Sequence, residues 1–381
     1  MEILKYTEDH LKFRKRLRKF MEDEVIPNVE QWEKKDHIVP KEIWKKMGKE
    51  KFLCTDLPAE YGGIGGDFLY SVIILEEISR TNHSGLAVPL HNDVVVPYIS
   101  SYASEEQKKK YLPGCVTGDI ITAVAMTEPG AGSDLASMTT TAEEDGDSLI
   151  INGSKTFISS GIHANLVIVA AKDPKEREAH KALSLYLVEA GTPGFSKGKQ
   201  LVKMGWHSQD TAELFFSNCR IPASNRLGEA GSGFRMLMEK LQQERLIVAI
   251  MAVASAECAL EWTIDFCKNK IVSGKAITRS QAVQFALVEM ATEVKIGRTF
   301  LDKLIADHME NRQIIIETSM AKYWTTDMTK RVVDRCIDLF GEYGSLENCP
   351  VTRAWRDVRV MSIFAGTNEI MKQIAAKFMG L

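Results

Sequence analysis

The sequence predicts an α+β fold in three consecutive segments, helical, then β, then helical again, and three observations carry that prediction. Apolar residues recur at helical spacing through residues 1–118. Short β-branched runs separated by Gly, Pro, Asn and Asp turns fill residues 119–228. Long stretches rich in Ala, Leu, Met and Glu return over residues 229–381. A chain of 381 residues has room for two or three cores of ordinary size.

In the first segment, Leu11, Phe13, Leu17 and Phe20, then Val25 and Ile26, alternate with Lys, Arg and Glu at helical spacing. A second periodic run covers Phe68 to Ile78, and SEEQKKKYL opens a third with Ser104 as its N-cap and Glu106 in the first turn. The PAEYGGIGG stretch (58–66) is rich in helix breakers. No Gly-Lys-Ser/Thr follows it, so it reads as a turn and not a phosphate loop. The runs ITAVAM, SLIING, NLVIVAA, LSLYLV and ELFFSN predict closely spaced antiparallel strands. Beyond Gly231, breaks at Gly274, Gly341 to Gly344 and Pro350 divide the chain into about four long helices.

Composition narrows the function. With 48 basic and 51 acidic residues the formal net charge is -3, which gives no reason to expect a nucleic acid partner. The charged opening MEILKYTEDHLKFRKRLRKF lacks the apolar core of a secretory signal. No run reaches the roughly 18–20 apolar residues of a membrane span. Seven scattered cysteines without a CxxC pair predict reduced thiols and a cytoplasmic location. Eight histidines form no HxxxH or HExxH pair, so no metal site is expected.

The chemistry centres on AMTEPGAGSD (125–134), directly after a predicted strand. Pro129 and two glycines force an irregular turn that exposes backbone N–H groups, and Thr127 and Ser133 add hydroxyls. Such a loop suits a flat heterocycle beside a phosphate; it is also compatible with a simple β-turn capped by Asp134.

This stretch resembles the signature of the acyl-CoA dehydrogenases, and the likeness continues through PAEYGGIGG, NGSKTFISSG (152–161), the KMGW…SQDTAELFFSNCRIP block (203–222) and WRDVRVMSIFAGTNEI (355–370), all in the expected order. The resemblance implies a helical N-terminal domain (1–118), a middle antiparallel β-barrel (119–228) and a C-terminal four-helix bundle (229–381). It implies non-covalent FAD, an acyl-CoA substrate, an electron-transfer flavoprotein as acceptor and a homotetramer. Met126, Thr127 and Ser133 would contact the flavin, with Ser133 also near the substrate. Phe157 and Ser159 stand where the family usually has Trp and Thr, which keeps an aromatic face and a hydroxyl.

The family reaction removes the α-proton of a thioester with a carboxylate while the β-hydrogen leaves as hydride. Its usual base lies in a C-terminal IxEGT motif, which here reads Ile363-Phe364-Ala365-Gly366-Thr367. Ala365 removes the carboxylate and keeps the backbone N–H that polarises the thioester oxygen. In the long-chain and isovaleryl-type subgroup, a glutamate before an arginine on the first long C-terminal helix is the base; Glu244-Arg245 in LQQERL matches it. By composition alone that pair reads as an exposed ion pair. Asp93, in PLHNDVVVPYI, is a rival: the N-cap of an apolar helix, or a pocket carboxylate serving as base for an alicyclic acyl group. Arg245, Ala365 and Gly366 complete the substrate-side expectation.

Two departures bear on FAD. The RxxFG motif appears as Lys270-Ile271-Val272-Ser273-Gly274, losing the bidentate guanidinium fork. The QxxGGxG motif becomes Asp338-Leu339-Phe340-Gly341-Glu342-Tyr343-Gly344, which adds acidic groups. Gln281, Thr367 and Glu369 remain as cofactor-side residues. Against the dehydrogenase stand a flavin-free acyl-CoA-binding relative and an oxidase that passes electrons to oxygen.

Overall fold

The computed structural model describes residues 3–381, the side chains of residues 179 and 180 excepted. The longer α-helices of the first segment are α1 (Glu8–Phe20), α2 (Lys41–Lys49), α3 (Phe68–Arg80), α4 (Val96–Tyr102) and α5 (Glu105–Thr117). Thr7 and His10 close a capping box on α1, and Ser104 with Gln107 does the same on α5, so the N-cap and N3 N–H groups of both helices are met. The buried face of α1 is His10, Phe13, Leu17 and Phe20, whereas Leu11 points outward and is 55% exposed. Its place one residue past His10 turns it to the outer face.

The middle segment holds β1 (Thr122–Ala125), β2 (Thr141–Asp145), β3 (Ser148–Ser159), β4 (Leu166–Lys172), β5 (Leu183–Glu189), β6 (Phe195–Gln200), β7 (Thr211–Pro222) and β8 (Arg226–Leu227). They form one sheet in the order β6-β7-β3-β2-β4-β5-β8, with β1 added to β4. Two expectations need correction. The sheet does not close into a barrel, because β6 and the two-residue β8 end the order without pairing to each other. Nor is it wholly antiparallel, since β1 and β2 each run parallel to β4. β4 is buried on both faces: Val167, Val169 and Ala171 enter the core that the sheet curls around, while Leu166, Ile168 and Ala170 join the core of the N-terminal helices.

A hairpin of β9 (Ile271–Val272) and β10 (Lys275–Ala276) interrupts the last segment. Around it lie α6 (Gly233–Asn269), α7 (Gln281–Met309), α8 (Ile315–Phe340), α9 (Pro350–Asp357) and α10 (Asn368–Phe378). Leu69, Val72 and Leu75 of α3 share a core with Leu246, Val253 and Ala256 of α6 and Val332 and Cys336 of α8, joining the first segment to the last. By length and composition α6 would pass for a membrane span, contrary to expectation, but most of its apolar stretch is buried in this core.

Candidate active site

Glu244 and Arg245 are not an exposed pair. Both lie on α6 inside the core, 6% and 4% exposed. The helix is apolar on every side from Leu246 to Ile250, so this stretch is enclosed all round and the dipeptide before it is drawn in. The Tyr98 hydroxyl on α4 donates to Glu244 Oε1 at 2.8 Å. Burial raises the Glu244 pKa to about 7 against the opposing pull of Tyr98, Arg245 and Lys240. A carboxyl poised there is partly ionised at neutral pH, the condition a general base needs.

Asp93 does not cap a helix. It sits inside a π-helical turn, Leu90–Val95, where its carboxylate Oδ1 takes a 2.5 Å hydrogen bond from Ser71 of α3. Oδ2 is buried without a partner. Burial, aided by nearby Asp56, pushes its pKa up to about 8 despite the Ser71 bond. Gln243 Nε2 donates to the Asp93 carbonyl at 2.8 Å, so the two candidate carboxyls come from adjoining elements. Asp93 is therefore mostly protonated where Glu244 is half ionised.

Arg245, beside Glu244, and the Ala365 turn both bond to α8. Arg245 Nη1 donates to Ser319 Oγ at 3.3 Å, and three residues on, fully buried Lys322 donates from Nζ to the Gly366 carbonyl at 2.6 Å. Ala365 and Gly366 have φ of 53° and 88°. A left-handed alanine costs on the order of 1 kcal/mol or more, and the Lys322 bond is one of the contacts that hold it. On the other side, Trp206 stacks edge-on against Phe364 with centroids 5.6 Å apart and anchors to Asp357 through its backbone and indole N–H groups. The strand segment thus meets the turn that carries Ala365. Thr367 caps α10 through Ile370 N, and Glu369 in the first turn is exposed.

The Met126–Ser133 loop is pinned by a buried ion pair. Lys155 Nζ on β3 donates to Glu128 Oε1 at 2.8 Å and to the Met126 carbonyl at 3.0 Å. Glu128 also accepts from the Thr139 N–H and hydroxyl and from the Thr140 N–H. Burial alone would raise its pKa, but these donors win and hold it at about 2. Thr156 N donates to the Thr127 carbonyl, tying the loop to β3, while Ser133 stays exposed. One residue further, the β3–β7 register slips, and Phe157 turns out of the strand with φ of 57° and 67% exposure. Ser159 is back in register opposite Thr211.

The remaining expected residues gather at one end of the bundle. Lys270 Nζ lies 4.3 Å from the Tyr343 ring centroid, Gln281 starts α7, and Asp338 lies in the last turn of α8, before Gly341. Among the described residues no hydrogen bond, ion pair or ring contact links this end to the Met126–Ser133 loop. Sequence reasoning passed over Tyr98, Ser71, Glu128, Lys155, Trp206 and Lys322. Lys322 left a trace: it falls on the Thr318–Thr325–Thr329 face that α8 buries.

Comparison with known proteins places this geometry. Residues 7–119 match the N-terminal domain of acyl-CoA dehydrogenase, 123–219 the middle domain and 231–380 the C-terminal domain. The long-chain specific acyl-CoA dehydrogenase of pig (Sus scrofa) mitochondria is 43% identical over 98% of this chain and 86% of its own length. An acyl-CoA dehydrogenase structure from Geobacillus kaustophilus is 52% identical, covers 99% of both chains and superposes with a TM-score of 0.97. A Mycobacterium smegmatis glutaryl-CoA dehydrogenase in complex with FADH2 is 26% identical over 98% of this chain and 95% of its own, with a TM-score of 0.91. Matched along nearly its whole length, the chain belongs to the acyl-CoA dehydrogenase family of FAD-dependent oxidoreductases.

Proposed function

We propose that this protein dehydrogenates acyl-CoA thioesters between the α and β carbons, with Glu244 taking the α-proton. The observation that carries the reading is a buried carboxylate with its pKa near 7, on a helix whose Arg245 bonds to Ser319 of α8 while Lys322, also of α8, bonds to the turn at Ala365. The outward Phe157 face, the tethered loop, and Gly130 and Gly132 with open space where a side chain would be fit a broad flat ring with a phosphate tail. Met126, Thr127, Ser133, Phe157 and Ser159 would hold FAD there. FAD, when bound, supplies the acceptor for the β-hydride.

The Ala365 backbone N–H is the donor for the thioester oxygen as negative charge develops on it, and its fixed left-handed turn spares reorganisation. Arg245 and Gly366 complete the substrate side. Lys270, Gln281, Asp338, Gly341, Thr367 and Glu369 would serve the FAD of a neighbouring copy in a homotetramer. Exposed Phe285, Val288 and Ile296 on α7, with Ile271 and Val272 on the hairpin, support such an assembly. An electron-transfer flavoprotein is the proposed acceptor, and the seven buried free thiols fit a reducing compartment. A second reading, an alicyclic acyl group deprotonated by Asp93, draws on that residue's burial beside Gln243.

The FAD-loaded protein, mixed anaerobically with a panel of straight, branched and cyclic saturated acyl-CoA thioesters, is expected to lose its flavin absorbance with at least one of them. Full retention of absorbance across the panel would refute the dehydrogenase reading. Bleaching by cyclic thioesters alone would favour the Asp93 reading.

A further inference from the structure

We infer that Tyr98 is a positioning residue for this chemistry: its hydroxyl ties down one oxygen of Glu244 and aims the other at the substrate. The inference rests on Glu244 being the base. Tyr98 is fully buried on α4, and its O–H donates to Glu244 Oε1 at 2.8 Å. Oε2 makes no hydrogen bond, and it is not among the sealed orphan atoms of the core, as Asp93 Oδ2 is. Oε2 is therefore the oxygen that meets the residual opening at Glu244. A carboxylate with both oxygens free would swing among rotamers, and each misdirected rotamer removes the base from reach of the α-carbon.

The bond has a second consequence. A phenol O–H donating to a carboxylate favours the charged form over the acid. Every other group around Glu244 is weaker or more remote. Lys240 and Arg245 lie on its own helix, and Arg245 is engaged with Ser319 of α8. Lys322 of α8 faces Arg245. From the N-terminal segment, Asp56 lies near Lys240, and Asp93 reaches only Gln243 by its carbonyl. Against the strong desolvation of this pocket, Tyr98 is the largest single influence that keeps the base ionised.

Tyr98→Phe keeps the ring that fills the core and removes only the oxygen. The acid limb of kcat/KM is expected to move up by about one pH unit from its place near 7, which lowers the value at pH 7 about fivefold. At pH 9 the variant should return to within about threefold of the parent. Flavin absorbance and melting temperature, measured on the same preparations, report whether the holoenzyme is intact. Equal loss at every pH, or an unshifted limb, would overturn the inference. Failure of the underlying reading looks different: Glu244→Gln would then stay active whatever Tyr98→Phe does. Tyr98→Trp, whose indole N–H can also donate but whose bulk displaces Glu244, should lose activity at both pH values with no recovery.

Discussion

Glu244→Gln is expected to keep its FAD and its fold while kcat for acyl-CoA dehydrogenation falls by about 10²–10⁴-fold. The amide occupies the same volume and still accepts the Tyr98 O–H, so packing on α6 hardly changes. What it cannot do is take a proton. Removing a buried carboxyl whose pKa is raised to about 7 also relieves a pH-dependent strain. Such a group favours the folded state below its unfolded pKa, and that advantage is lost as pH rises from about 4.5 to 7. The variant should therefore melt at a higher temperature than the parent at pH 8 and match it more closely at pH 5. Loss of activity with a gain of stability separates a catalytic carboxylate from a structural one.

Lys155→Met is the largest expected stability effect. Lys155 is 1% and Glu128 4% exposed, and the substitution leaves Glu128 as a buried charge facing only neutral donors. Breaking a buried pair from one side costs about 3–5 kcal/mol. In a chain of this size that lowers the melting temperature by roughly 4–6 °C. The sign with pH follows from Glu128. Its pKa is depressed to about 2, so its contribution exists above the unfolded value and disappears as pH falls through about 4.5 towards 2. The gap between parent and variant should be widest at neutral pH and close in acid, by thermal melts across that range. Because Lys155 also holds the Met126 carbonyl, the variant should release FAD more readily on dilution, read by flavin fluorescence. A melting curve identical to the parent's would show that the pair does not support the loop.

Much of this was legible in the residues because it depends on local periodicity. The helix–sheet–helix order follows from a change of period at about residue 119 and again near 231, and the Ser104 cap follows from its own side chain. Sheet closure was not legible. Whether β6 and β8 meet depends on curvature and on edges far apart in sequence, not on any strand's own pattern. Asp93 misled because an acidic residue before an apolar run ordinarily caps a helix, while here a π-helical turn carries it inward to Ser71. Glu128 and Lys155 lay inside the quoted motifs, yet their pairing spans 27 residues and nothing local announces it. Glu244 was reachable only by coupling its presence to the absence at Ala365; its burial comes from the run Leu246–Ile250 that follows it.

Glu244 is the proposed base, in place of a carboxylate at the Ala365 position. An acyl-CoA whose β-carbon is replaced by sulfur has no β-hydrogen to give, so its exchange reports proton removal alone. With deuterium at the α-carbon, the FAD-loaded parent should release label to water with an apparent pKa near 7, and Glu244→Gln should release it at least 100-fold more slowly. Release by Glu244→Gln at the parent's rate, abolished instead by Asp93→Asn, would contradict that assignment.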